Sequence, residues 1–273
     1  MTFLQKLEAS IAKNNSLLCI GLDTDKNKIP KHLHGDVLTF NKAIIDDTHD
    51  IVSSYKLNSA YYEANGIAGL ETLKKTIQYI QDQYASIPVI VDAKRADIGP
   101  TSEQYAKAVF DYLNADAVTV NPYLGLDAVE PFLKHQDKGI IILCRTSNPG
   151  AKDFQDLSVD GQPLYMEVGK KIIEWSTKYD NCLMVVGATY PEEIKQIREL
   201  APDMCFLVPG IGAQGGDLEK TLEAGLRKDK SGLIIHSSRG IIYASSEIDF
   251  ADTARNVAIK LRNQINQYRH GNS

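Results

Sequence analysis

Residues 88–101 read Pro-Val-Ile-Val-Asp-Ala-Lys-Arg-Ala-Asp-Ile-Gly-Pro-Thr. The β-branched run at the front predicts a short strand, whose side chains alternate between two faces. Ile90, Asp92 and Lys94 therefore share one face, while Val91 and Ala93 share the other. A carboxylate and an ammonium emerge side by side where the strand ends, with Asp97 just beyond. In α/β proteins that end of a strand is where ligands gather. Taken alone, the pair reads equally well as a strand-end salt bridge. What separates the two readings is whether other strands end the same way.

Seven more runs rich in Val, Ile and Leu accompany 89–93: 17–22, 51–57, 117–120, 140–144, 183–186, 205–208 and 233–235. Longer segments with helical spacing lie between them. The last is the clearest, with Phe250, Ala254, Val257, Ala258, Leu261 and Ile265 following the spacing of one helix face. Pro100 followed by Thr101-Ser102-Glu103-Gln104 predicts a helix start after strand three. Strands alternating with helices imply a parallel sheet. Eight such units in 273 residues imply an α/β fold of the closed (β/α)8 TIM barrel type. An open, doubly wound sheet is the competing architecture. No Pro/Gly-rich linker or composition shift divides the chain, so residues 1–273 are expected to form a single barrel domain. The longest connection, 145–162, follows strand five and is rich in Asn, Pro, Gly and Asp, which suits a lid or binding loop.

Composition narrows the partners. With 43% apolar and 24% charged residues the chain has an ordinary globular make-up. A net charge of −5 gives no reason to expect nucleic acid or an anionic membrane surface. An anionic ligand must therefore meet a local cluster of positive groups. No apolar run reaches the roughly 18 residues of a membrane span. The start, Met1-Thr2-Phe3-Leu4-Gln5-Lys6-Leu7-Glu8, lacks the apolar centre of a signal peptide. It predicts an amphipathic helix with Phe3, Leu4, Leu7 and Ile11 on one face. Cys19, Cys144, Cys182 and Cys205 sit in or beside apolar segments without metal-ligand spacing, as buried, reduced thiols of a cytoplasmic protein would. His32 and His34 lie in a polar loop with no third ligand nearby, so no metal is expected there.

In a barrel all the C-terminal strand ends converge on one mouth. The chain offers Gly21-Leu22-Asp23 after strand one, Lys56-Leu57-Asn58 at strand two, and Asp92, Lys94 and Asp97 at strand three. Strand four ends at Asn121-Pro122 and strand five at Arg145-Thr146-Ser147. Strand seven runs into Pro209-Gly210-Ile211-Gly212-Ala213-Gln214-Gly215-Gly216, and strand eight into His236-Ser237-Ser238-Arg239-Gly240. A glycine-rich loop lets backbone N–H groups approach an anion, and barrel phosphate sites are often built after strands seven and eight. Arg239 can clamp a phosphate in bidentate fashion with Gln214 closing over it. The plainer reading is that these glycines only make tight turns. Lys56 is either an exposed strand tip or the second cation of a Lys-Asp-Lys-Asp array with Asp92, Lys94 and Asp97. In such an array each charge keeps its neighbours ionised, and no metal is needed. Two carboxylates without the lysines would suggest Mg²⁺ instead.

These motifs resemble those of the orotidine 5′-phosphate decarboxylase family, enzymes that form UMP. The elements that carry the resemblance are Asp92-Ala93-Lys94-Arg95-Ala96-Asp97-Ile98-Gly99-Pro100-Thr101 with Lys56 upstream, Ser147-Asn148-Pro149-Gly150, the glycine-rich loop, and Ser238-Arg239-Gly240. Together they span Asp23 to Arg239, and the long loop after strand five is similar to that of the longer bacterial branch. The resemblance implies decarboxylation of orotidine 5′-phosphate without metal or cofactor. It implies that Lys94 protonates C6, that Asp92 sits against the scissile carboxylate, and that Lys56 joins the array and touches the ribose. Asp23 would bind a ribose hydroxyl, Ser147 the pyrimidine, and Gln214 and Arg239 the phosphate, with Asn58, Asn121, Gly215 and Ser238 completing the substrate-binding set. Asp97 and Thr101 would reach into a neighbouring subunit's site, which makes a homodimer part of the chemistry. The chain departs from the pattern at Ala96, where much of the branch has Gly, and at Pro100, an unfamiliar neighbour for Thr101.

Three rivals remain. A Mg²⁺-dependent phosphosugar decarboxylase or synthase of the same superfamily would carry an acidic group where Lys56 stands. A metal-dependent phosphosugar epimerase needs strand-end histidines, and only His236 is so placed. A non-catalytic nucleotide-phosphate-binding barrel would leave the charge array without a task.

Overall fold

Each apolar run forms a strand, and the sheet closes on itself. The computed structural model describes residues 1–211 and 217–270. Its strands are β1 (Leu18–Gly21), β2 (Ser54–Asn58), β3 (Val89–Arg95), β4 (Ala117–Val120), β5 (Gly139–Arg145), β6 (Ser158–Val159), β7 (Gln162–Pro163), β8 (Cys182–Val186), β9 (Phe206–Val208) and β10 (Leu233–Ser237). Around the barrel the order is β1-β10-β9-β8-β5-β4-β3-β2, and every neighbouring pair in it is parallel. Pairing of Leu18 with Ile235 closes the ring, which rules out the open sheet. This is the predicted (β/α)8 barrel. The remaining strands, β6 and β7, form an antiparallel hairpin inside the long loop. Asp160 and Gly161 both have positive φ there, as a two-residue hairpin turn requires.

Two apolar layers hold the barrel. Its interior is filled by Cys19, Ile90, Ala117, Ile141, Leu183, Leu207 and Ile234. Phe3 and Leu7, from the helix Phe3–Asn14, join that cluster and plug the end opposite the mouth. The plug sits so close that a Cβ at Gly139 would stand 2.3 Å from the Phe3 ring. Outside, the helices press their apolar faces on the strands. The helix Phe250–His270 buries Phe250, Ala254, Ala258 and Ile265, with Val257 and Leu261 partly buried at the edge of the same stripe. Full burial of each large apolar side chain contributes about 1.5–3 kcal/mol. No helix among the described residues is long and apolar enough to cross a membrane.

Some boundaries differ from expectation. Strand two begins at Ser54, because buried Ile51 and Val52 belong to the turn beneath it. The helix after β3 begins at Gly99, with Pro100 in its first turn, so Thr101 is inside the helix and does not open it. Proline is suited to that position, because the first-turn N–H it lacks has no intrahelical acceptor.

Candidate active site

A cleft of about 520 Å³ opens at the C-terminal end of the barrel, lined by Asp23, Lys56, Asn58, Asp92, Lys94, Ser147, Ser238 and Arg239 among others. Its floor is a chain of charges. Lys56 Nζ lies 2.7 Å from Asp92 Oδ2 and 3.7 Å from Asp23 Oδ1. Lys94 Nζ lies 2.6 Å from the other oxygen, Asp92 Oδ1. Asn58 ties the group together, its backbone N–H donating to Asp23 Oδ1 and its side-chain amide to Asp92 Oδ2. Burial alone would push the Asp92 carboxyl upward, yet Lys56 and Lys94 overrule it and hold it well below the usual carboxylate range. Burial likewise disfavours the Lys56 ammonium, and Asp92 and Asp23 outweigh it, leaving its pKa above that of free lysine. Both groups are therefore ionised throughout the neutral range.

Lys94 reaches Asp92 by an unexpected route. Simple alternation predicts that the two share a face because they are two residues apart. Instead Lys94 adopts a left-handed conformation, φ 46°, where non-glycine residues are uncommon. The β3–β4 register slips at this point: Val91 faces Val118, but Arg95 faces Val120. This bulge swings the Lys94 side chain back over its own strand. The Lys94 side chain is 46% exposed, while the carboxylate it touches is buried.

Other predicted residues divide. Ser147, Ser238 and Arg239 line the cleft. Ser238 Oγ donates to the Gly21 carbonyl at 2.9 Å, and Arg239 opens the short helix Arg239–Ile242. Asp97 does not join the array within its own chain. It does not line the cleft, its Oδ1 accepts from the Ile98 N–H, and it has no ion pair among the described residues. Thr101 is exposed and also outside the cleft. Asn121 turns its side chain back to accept from Tyr123 N–H at 3.0 Å, capping the turn Pro122–Leu124, and it does not line the cleft. Gln214 and Gly215 lie outside the described residues. A second cleft, of about 560 Å³, opens at the plugged end of the barrel, but the array of Asp23, Lys56, Asp92 and Lys94 is at the mouth.

Comparison with known proteins settles the lineage. The pattern of the orotidine 5′-phosphate decarboxylase / HUMPS family matches residues 16–253. A protein of that decarboxylase name from Cellvibrio japonicus is 54% identical over 271 residues, covering 97% of this chain and 98% of that one. Another from Ralstonia pickettii is 48% identical over 274 residues, covering 99% and 100%. This chain belongs to that family. Among solved structures, the OMP decarboxylase of Leishmania donovani superposes with a TM-score of 0.87 at 37% identity, covering 98% of this chain and 99% of that one.

Within this decarboxylase-family site the sequence left unseen Thr119 and the surroundings of His236 and Arg145. Thr119 on β4 is buried, and its hydroxyl donates to Asp92 Oδ1 at 2.8 Å. In the run Ala117–Val120 a threonine reads only as a good strand former. His236 lines the cleft with Nε2 buried and, among the described residues, without a hydrogen-bond partner, and burial beside Lys56 pushes its pKa down to about 3. Its ring presses on Gly21, where an added Cβ would lie 2.4 Å from Nε2, so only glycine fits. Arg145, expected at the mouth, points away from it. It is 1% exposed, bonds both oxygens of Glu193 and one of Asp156, and packs against the rings of Tyr165 and Tyr190. Through Gln155 the same cluster holds Thr146, the residue before Ser147, in place.

Proposed function

We propose that this chain converts orotidine 5′-phosphate to UMP and CO₂ using its own side chains as the only catalytic groups. One observation carries the reading. The buried Lys56 ammonium stands between Asp23 and Asp92, and Lys94 closes on the remaining oxygen of Asp92. A Mg²⁺-dependent phosphosugar enzyme would need such carboxylates free to hold a divalent cation. Here an ammonium occupies the space between them.

Decarboxylation breaks the bond between C6 and its carboxylate, leaving the electron pair on C6 as neutral CO₂ departs. Lys94 stabilises the developing negative charge and then delivers a proton from Nζ to C6. Asp92 lies against the substrate carboxylate, so like-charge repulsion is relieved as CO₂ leaves. Asp23, Lys56 and Asn58 hold the ribose, Ser147 contacts the pyrimidine, and Ser238 and Arg239, with Gln214 and Gly215, hold the phosphate. The phosphate is remote from C6, and its binding energy serves to assemble the site. Large enzymatic accelerations require about 20 kcal/mol of barrier lowering, which no single ion pair supplies. Preorganised charge in an enclosed site is the combination these residues can offer.

The working unit is a homodimer with shared sites. Asp97 and Thr101 stand outside their own cleft, on a rim whose Ile98, Tyr123 and Leu124 are 57%, 82% and 45% exposed. Apolar and aromatic surface of this kind suits burial against a second copy, which would carry Asp97 and Thr101 to the partner's mouth. The buried free thiols suit the reducing cytoplasm. The test is optical: loss of orotidine 5′-phosphate absorbance on adding EDTA-treated protein. Full turnover without added metal is expected. A strict need for Mg²⁺, or UMP binding with no release of CO₂, overturns the reading.

A further inference from the structure

We propose that Thr119 is a positioning residue that sets both ends of the Asp92–Lys94 pair, an inference that rests on the assignment of Lys94 as proton donor. The β3–β4 ladder is interrupted where the pair sits. Val91 faces Val118 and Arg95 faces Val120, so the segment from Asp92 to Lys94 has only Thr119 opposite it. A backbone N–H displaced by a bulge must find another acceptor when it is buried among strands. Lys94 N–H finds the Thr119 hydroxyl oxygen at 2.9 Å. The same hydroxyl spends its hydrogen on Asp92 Oδ1 at 2.8 Å.

One group therefore acts in two directions. As acceptor it anchors the backbone of Lys94 in the left-handed conformation that brings the ammonium back over the strand. Strained backbone of this kind persists only where its surroundings over-determine it. As donor it fixes the Asp92 oxygen that faces the Lys94 ammonium, while Lys56 fixes the other. A carboxylate held on both oxygens cannot rotate to follow a mobile amine. Both halves of the pair thus keep their places while charge moves. Thr119 is 1% exposed and does not line the cleft, so it acts through its neighbours and not on the substrate.

Thr119→Val keeps the shape and removes the hydroxyl. With active sites counted by UMP binding, kcat for orotidine 5′-phosphate should fall by about ten- to a hundred-fold, the effect of losing hydrogen bonds around a charged group. KM and UMP affinity should stay within about twofold, because the residues assigned to ribose and phosphate are untouched, and Thr119→Ser should restore most of kcat. If the valine variant does not fold, Thr119→Ala is read in its place. Unchanged kcat in the folded variant, or equal losses for serine and valine, overturns the proposal. A parallel Lys94→Ala variant separates it from the reading beneath. If that variant is inactive while Thr119→Val is fully active, only the positioning role falls. If Lys94→Ala remains active, both fall.

Discussion

On one side of the cleft Asp23, Lys56, Asp92 and Lys94 answer one another within the chain, whereas across the mouth Arg239 meets no ion-pair partner among the described residues. Asp92 alone accepts from Lys56, Lys94, Thr119 and Asn58. The far rim is held at its root, through Arg145 and Gln155, but its cleft-facing guanidinium is exposed. The difference matches two physical tasks. Stabilising a transient anion demands dipoles and charges that need not reorganise during the reaction. Collecting binding energy from a phosphate demands a cation still accessible to it.

The comparison can be broken most sharply at Lys94. Lys94→Ala should lower turnover by about 10⁴-fold or more with the fold intact by circular dichroism. Substantial surviving turnover would remove the chemistry from this side. On the other side, Arg239→Ala should weaken UMP by about 10²–10³-fold and leave uridine nearly unaffected. Equal weakening of both ligands, measured by calorimetry, would end the phosphate assignment. Subunit sharing predicts a smaller but distinctive recovery. An Asp92→Asn chain mixed with an Asp97→Asn chain should regain about a quarter of native activity, since each mixed dimer of a two-fold assembly rebuilds one native site. No recovery, with mixed dimers verified, would return Asp97 to its own chain.

The smallest effect concerns His236 and stability. Its folded pKa lies near 3, against about 6.5 when free, so the unfolded chain binds more protons between those values. Its neutral burial therefore favours folding fully above about pH 6.5, and this advantage shrinks as pH falls toward 3. Asp92 behaves differently. Its lowered folded value keeps its contribution intact until pH drops below the ordinary carboxylate range. Between pH 7 and pH 5 the two are thus separable. His236→Leu should flatten the loss of melting temperature over that interval by a few degrees. Parallel curves for parent and variant would place the acid sensitivity elsewhere.

Much of this arrangement is legible in the sequence itself. Eight β-branched runs announced the barrel because parallel strands covered on both faces must be apolar throughout. Lys56, Asp92 and Asp23 could be placed at one mouth because barrel geometry converges strand ends. What stayed hidden depends on register between distant segments. The reversed backbone of Lys94 and the support from Thr119 both arise from a slip between β3 and β4, which neither strand's pattern records. Arg145 looked like a mouth residue until Glu193, far along the chain, drew it outward. Asn121 is ambiguous in sequence because asparagine beside proline serves a turn cap as readily as a ligand. The β6–β7 hairpin has a local signal in the Asp160-Gly161 pair.

Arg145 has a consequence for how such a protein can change. It staples the crown of the long loop to the helix Pro191–Leu200 and makes no bond to the β1–β4 charges. The loop crown and the charge array are thus held by separate sets of bonds. A graft replacing the exposed crest around Phe154 and Leu157, with Gln155 and Asp156 retained, should therefore leave the bonds of the charge array in place.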